Sequence, residues 1–211
     1  MMQSSKERLA LKRMTLYAVL TAVICILGVV SIPMPTGLNI TFNMIPVAVA
    51  AVAAGYEGGV VMGTVFGLVS FLQCFGILGS SALGAACVSA APVLTFIQRV
   101  VSRMLMGFLT AVVFQALRKV LNEKIRFSVA GFLAAFLNTL FFMGLLVLLL
   151  SEVPDVQKAV AGRSFLVYVV ASVGVNGLVE MAVSSLLTTA ICMALKKANL
   201  IYLDSSISKV S

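Results

Sequence analysis

Long apolar runs alternate with short charged clusters along this chain of 211 residues, and the runs have the length that a membrane demands. A helix of about 20 mostly apolar residues crosses roughly 30 Å of hydrocarbon. Residues 14–31 form the first run, with Lys12 and Arg13 at its start and Pro33 and Pro35 breaking it beyond. Residues 43–54 form a shorter run that ends at Gly55, and residues 59–75 form the next. Between them stands Tyr56-Glu57-Gly58-Gly59, where clustered glycine and a carboxylate predict a turn between two spans rather than one long helix. Three further runs cover residues 92–117, 127–150 and 165–195. The expected architecture is an all-α integral membrane protein with six transmembrane helices.

The charges orient this bundle. Threading six spans puts Lys6, Arg8, Lys12, Arg13, Arg118, Lys119, Lys124, Arg126, Lys196, Lys197 and Lys209 on one side, most of the 15 basic residues. The positive-inside rule makes that side the cytoplasm, so both termini are expected there. The opposite side holds only Lys158 and Arg163, beside Glu152 and Asp155. Five or seven spans would split the two basic tails across the membrane. The domain division that follows is a basic cytoplasmic segment (1–13), a six-helix transmembrane domain (14–195) and a cytoplasmic tail (196–211).

Composition agrees: the chain is 61% hydrophobic with mean hydropathy +1.13, whereas soluble domains are roughly half apolar. The net charge of +8 then reflects topology and contact with anionic lipid. No basic patch interleaved with aromatics suggests nucleic acid. The first 13 residues resemble the start of a signal peptide, but the apolar run behind them is too long and no A-x-A site follows, so the first span is expected to stay uncleaved. Cys25, Cys74, Cys87 and Cys192 lack C-x-x-C spacing and read as packing residues.

Small residues mark helix contacts. Gly59, Gly63 and Gly67 recur every four residues, which strips bulk from one helix face and lets another backbone approach, inside the bundle or in a partner. Ala18 and Ala22 form a similar pair on the first span.

Polar residues within the spans are few, and an ionisable one in the bilayer interior is a functional candidate by default. Arg99 and Arg103 are four apart and so share a helix face. With the span starting near Pro92, they lie about 10 Å and about 16 Å below the outer boundary at 1.5 Å per residue. The carboxylate within a span is Glu180, with Asn176 one turn before it. An Arg103–Glu180 ion pair would leave Arg99 either to snorkel outward or to receive a carboxylate in a bidentate fork. Gln98, Asn138, Gln73 and Asn43, with Asn39 and Thr41 nearby, all fall in the outer half and point to one polar pocket open to the outside. Residues 76–91, rich in Gly, Ala and Ser, are expected to be a mobile lid or loop.

The chain lacks a catalytic or energising apparatus. It has no G-x-x-x-x-G-K-[ST] to cradle ATP phosphates and no histidine for acid–base work or zinc. One carboxylate is thin for a proton relay, and the two halves show no repeat of the secondary-transporter kind. Neither a metal nor a cofactor is expected.

These features resemble the substrate-binding S component of an energy-coupling factor (ECF) vitamin transporter. The resemblance rests on Ile40-Thr41-Phe42-Asn43-Met44-Ile45-Pro46-Val47, on Gly55-Tyr56-Glu57-Gly58-Gly59 and on Gly63-Thr64-Val65-Phe66-Gly67-Leu68. It implies a membrane-embedded, non-enzymatic subunit of a prokaryotic plasma membrane that captures a vitamin from outside. It also implies a transmembrane coupling subunit and two ATPases as partners, with Ala18 and Ala22 as the docking pair. The Thr-Phe-Asn-Met-Ile-Pro segment, Ser70-Phe71-Leu72-Gln73-Cys74-Phe75-Gly76 and the Arg99/Arg103 helix are most similar to pantothenate-type members. Arg99, Arg103, Gln98, Asn43, Gln73, Asn138, Asn176 and Glu180 are then the expected vitamin contacts. Folate or riboflavin as the vitamin, or a stand-alone carrier or channel for small anions, are the competing readings.

Overall fold

The computed structural model describes the backbone of residues 2–30, 32–33, 39–160 and 165–201; the side chains of residues 1–6, 8, 31–40, 159–176 and 202–211 lie outside the described part. Helix α1 spans Met2–Val29, α2 Met44–Leu72, α3 Ala82–Ala90, α4 Pro92–Ala116, α5 Glu123–Leu150, α6 Pro154–Val160 and α7 Phe165–Lys197. Five helices contain stretches long and apolar enough to cross a membrane. The described strands, β1 (Ile32–Pro33) and β2 (Asn39–Ile40), pair antiparallel in the connection from α1 to α2.

The expected turn between the second and third spans is present inside α2. Gly55 adopts φ 69°, ψ −145°, a conformation that side chains disfavour and glycine tolerates. Beyond it the chain doubles back: a Cβ on Gly58 would stand 2.3 Å from the Ala50 carbonyl oxygen. Residues eight apart in a straight helix are about 12 Å apart, so α2 is a helical hairpin with arms 44–54 and 56–72. The first arm, about 16 Å long, is too short to cross the bilayer alone. It is instead wholly buried, from Met44 to Gly55. A run that is apolar on every side suits that central position.

The second arm packs on α4 in reversed order. A Cβ on Gly59, Gly63 or Gly67 would come within 2.3 Å, 2.4 Å and 2.7 Å of Gly107 O, Arg103 O and Val100 Cα respectively. The glycine stripe therefore serves internal packing, and it presses the α2 backbone against the stretch of α4 that carries both arginines. Met44, Val47, Val52, Met62, Phe66 and Met106 fill the core around this contact. Outward residues such as Val93, Leu148 and Leu186 are apolar and exposed, as a lipid-facing surface requires.

Two segments hold more helix than the sequence showed. Helix α1 begins at Met2, so the basic N-terminal segment is helical and continuous with the first span. Within residues 76–91, expected as a mobile lid or loop, residues 82–90 form a helix: Ser81 caps α3 by accepting from Gly84 N at 3.2 Å, and Pro92 starts α4.

Candidate functional site

Helix α4 turns its polar stripe inward. Thr95, Gln98, Arg99, Ser102, Arg103 and Thr110 are buried, while Val93, Leu94, Phe96, Ile97 and Phe108 face out. Arg99 and Arg103 are each only 5% exposed. Arg99 donates from Nη1 to Ser70 Oγ (3.2 Å) and from Nη2 to Ser81 Oγ (3.4 Å). Arg103 donates from Nη1 to Ser102 Oγ (2.9 Å) and to the Arg99 carbonyl (3.4 Å). Phe142 of α5 lies between the two cations, its ring centre 4.9 Å from the Arg99 guanidinium and 4.4 Å from that of Arg103. Phe66 holds Arg103 from the other side at 4.9 Å.

These contacts hold the two groups without neutralising them. The described ion pairs are Arg13–Glu57, Lys158–Asp155 and Lys196–Glu123, and none involves Arg99 or Arg103. Both Nε atoms are buried with no acceptor. Buried charge without a counterion is costly, so two cations one turn apart make a strongly electropositive region. The N-terminus of α3 adds to it, because Ser81 and Gly84 stand against the Arg99 guanidinium and a helix start carries partial positive charge.

Gln98, Asn138 and Asn43 carry buried polar atoms without partners among the described residues. Gln98 gives Nε2 to the Phe142 carbonyl at 3.0 Å, and its Oε1 accepts nothing. Asn138 stands one turn before Phe142 on the same face of α5, with Oδ1 unpaired. Asn43 is fully buried and neither amide atom has a partner among the described residues. The hairpin of α2 sets Ala50 against Gly58 and Ala51 against Gly59, and Asn43 stands just before its first arm.

Other expected contacts are placed elsewhere. Gln73 spends its amide on the Gly28 and Leu78 carbonyls, at 2.9 Å and 3.2 Å, and ties α1 to the turn after α2. Glu180 does not pair with Arg103; its Oε1 accepts from Thr41 N at 3.3 Å, which fastens the α1–α2 connection to α7. The side chain of Asn176 lies outside the described residues. Ala18 and Ala22 are exposed on α1, opposite the buried Leu16, Leu20 and Ile24. A cavity of about 310 Å³ opens beside Leu9, Arg13, Tyr17 and Glu57, at the α2 turn and away from the arginines.

Sequence reasoning missed Phe142, Ser70 and Ser81. Phe142 was reachable from its four-residue spacing to Asn138. Ser81 was reachable as a helix cap, whereas nothing local marks Ser70.

The family model for the ECF transporter, substrate-specific component, matches residues 12–192, most of the chain. The chain belongs to this family. No curated relative matches it. An ECF S component is a non-catalytic binding subunit in a multi-pass membrane protein, and it works with a transmembrane T subunit and ATPase A subunits. The absence of a nucleotide motif in this S component follows, because its partners hydrolyse the ATP. The reading as a stand-alone anion carrier or channel is thereby replaced.

Proposed function

We propose that this S component captures a small carboxylate-bearing vitamin, with pantothenate the best fit, and that the Arg99/Arg103 pair receives the carboxylate. One observation carries the reading: two guanidinium groups buried on one face of α4 with no carboxylate beside them among the described residues. A carboxylate supplied by a ligand neutralises them and accepts from the free Nε donors. The unpaired acceptors suit the rest of such a molecule, since Gln98 Oε1 and Asn138 Oδ1 call for hydroxyl or amide donors. Asn43 adds an unpaired amide NH2 and an unpaired amide oxygen. Pantothenate has one carboxylate, one amide and two hydroxyls, which matches that set.

In this reading both termini face the cytoplasm, the vitamin arrives from the α3 end, and the exposed Ala18/Ala22 face of α1 meets the T subunit. The direct experiment is thermal stability of the detergent-purified protein against a panel of vitamins, since a ligand that binds only the folded state raises the melting temperature by mass action. A selective rise with pantothenate supports the assignment. A rise with folate or riboflavin alone replaces the vitamin, and no rise with any carboxylate-bearing vitamin overturns it.

A further inference from the structure

A third buried cation lies at the opposite end of the bundle from Arg99. Arg126 belongs to the first turn of α5 and is 9% exposed. Its guanidinium stands 4.7 Å from the ring centre of Phe114, and that ring stacks on Phe127 at 6.0 Å with an interplanar angle of 15°. Phe114, backed by Phe127, thus lies against the guanidinium, but neither ring offers a hydrogen-bond acceptor oxygen. Arg126 Nε is buried without a hydrogen-bond partner, and no described carboxylate pairs with this residue. Glu123, three residues before it on α5, is engaged by Lys196 of α7 instead.

The surroundings select what can satisfy it. Arg118, Lys119 and Lys124 stand exposed around the same junction, so the local field is positive. Asn122, before α5, makes no side-chain cap, and the first amide N–H groups of the helix are left free for an anion. Beside these charges Val120 is 75% exposed and Ile125 49% exposed, an apolar rim that suits acyl chains and not bulk water.

We propose that Arg126 and the first turn of α5 bind the phosphate of an anionic phospholipid headgroup. The flat guanidinium, held against Phe114, presents its N–H edge as a bidentate fork for phosphate oxygens. Lys124 adds charge, and Val120 with Ile125 accommodates the lipid chains. The site is separate from the Arg99/Arg103 pair and does not depend on the identity of the vitamin.

Native mass spectrometry tests this on the detergent-purified full chain offered equal amounts of phosphatidylglycerol and phosphatidylcholine of matched chain length. Wild type should retain phosphatidylglycerol by roughly tenfold or more, the equivalent of one charge-assisted contact. Arg126→Met, which keeps the bulk and drops the charge, should fall to parity. Equal retention of both lipids by wild type, or undiminished selectivity in Arg126→Met, overturns the proposal. Adding inorganic phosphate separates the sources: retention that persists in millimolar phosphate supports a lipid, and loss of the lipid to phosphate assigns the site to a soluble phosphate and overturns the lipid occupant. Should Arg126→Met not fold, a photoactivatable phosphatidylglycerol on wild type decides the question. Labelling within residues 114–127 supports the site, and labelling confined elsewhere overturns it.

Discussion

Replacing Arg99 by Gln should separate binding from stability. Arg99 and Arg103 lie one helical turn apart, about 6 Å along the axis, and at an effective dielectric of about 20 their mutual repulsion is about 3 kcal/mol. Removing Arg99 relieves that repulsion. The same change loses the contact with the Phe142 ring, worth about 1 kcal/mol, and two bonds to Ser70 and Ser81, which at 3.2 Å and 3.4 Å are worth about 1.5 kcal/mol each, the low end for a charged donor. The terms nearly cancel, so the ligand-free protein should melt within about 4 °C of wild type, the shift that about 1 kcal/mol gives at this size. Capture of a carboxylate loses two charge-assisted bonds of about 1.5–3 kcal/mol each, which weakens binding by about 10²- to 10⁴-fold. Thermal unfolding in detergent and equilibrium binding of the stabilising vitamin measure the two quantities separately. A melting temperature that collapses, or an affinity that stays within about threefold of wild type, would refute the reasoning, because either result makes Arg99 a structural residue.

Other substitutions test neighbouring parts of the account. Gly84→Ala places a Cβ 2.7 Å from Arg99 Nη2 and 2.7 Å from Cys74 Sγ, both ends of side chains that can shift. It should therefore fold normally by size-exclusion chromatography and lose at least about tenfold in vitamin affinity as the guanidinium is displaced. Gly59→Val sets new side-chain atoms against the Gly107 backbone, where neither helix can yield, and should abolish the monodisperse folded species. Ala18→Leu with Ala22→Leu adds bulk to an exposed face of α1, so vitamin affinity should stay at wild-type level while uptake by cells carrying the T and A subunits falls; unimpaired uptake would remove this face from the docking surface.

The apolar runs made the long helices legible, and Gly55 with the glycines after it marked the reversal within α2. The sequence did not convey that the first arm is half-length and central, because an entirely buried short helix and a membrane span share the same composition. Helix α3 was obscured by its Gly, Ala and Ser content, which reads as loop until Ser81 is recognised as a cap. At the site, the four-residue spacing of Arg99 and Arg103 placed both on one face, with Glu180 as the carboxylate offered to Arg103. What steadies them comes from other elements: Ser70 from α2, Ser81 beside α3 and Phe142 from α5. Glu180 and Gln73 were grouped with the arginines because they were polar residues in apolar surroundings. Tertiary placement sends one to the Thr41 amide and the other to the carbonyls of Gly28 and Leu78. Arg126 read as a topological charge because its burial against Phe114 depends on how α4 and α5 meet.

The central claim is that the buried arginine pair receives the carboxylate of the vitamin. Comparing the affinity of wild type for pantothenate and for pantothenol, in which an alcohol replaces the carboxylate and the amide and other hydroxyls remain, tests it most directly. The account predicts that the alcohol binds at least about 100-fold more weakly to wild type and that Arg99→Gln narrows the gap to within about tenfold. Equal affinities for the acid and the alcohol in wild type would contradict it.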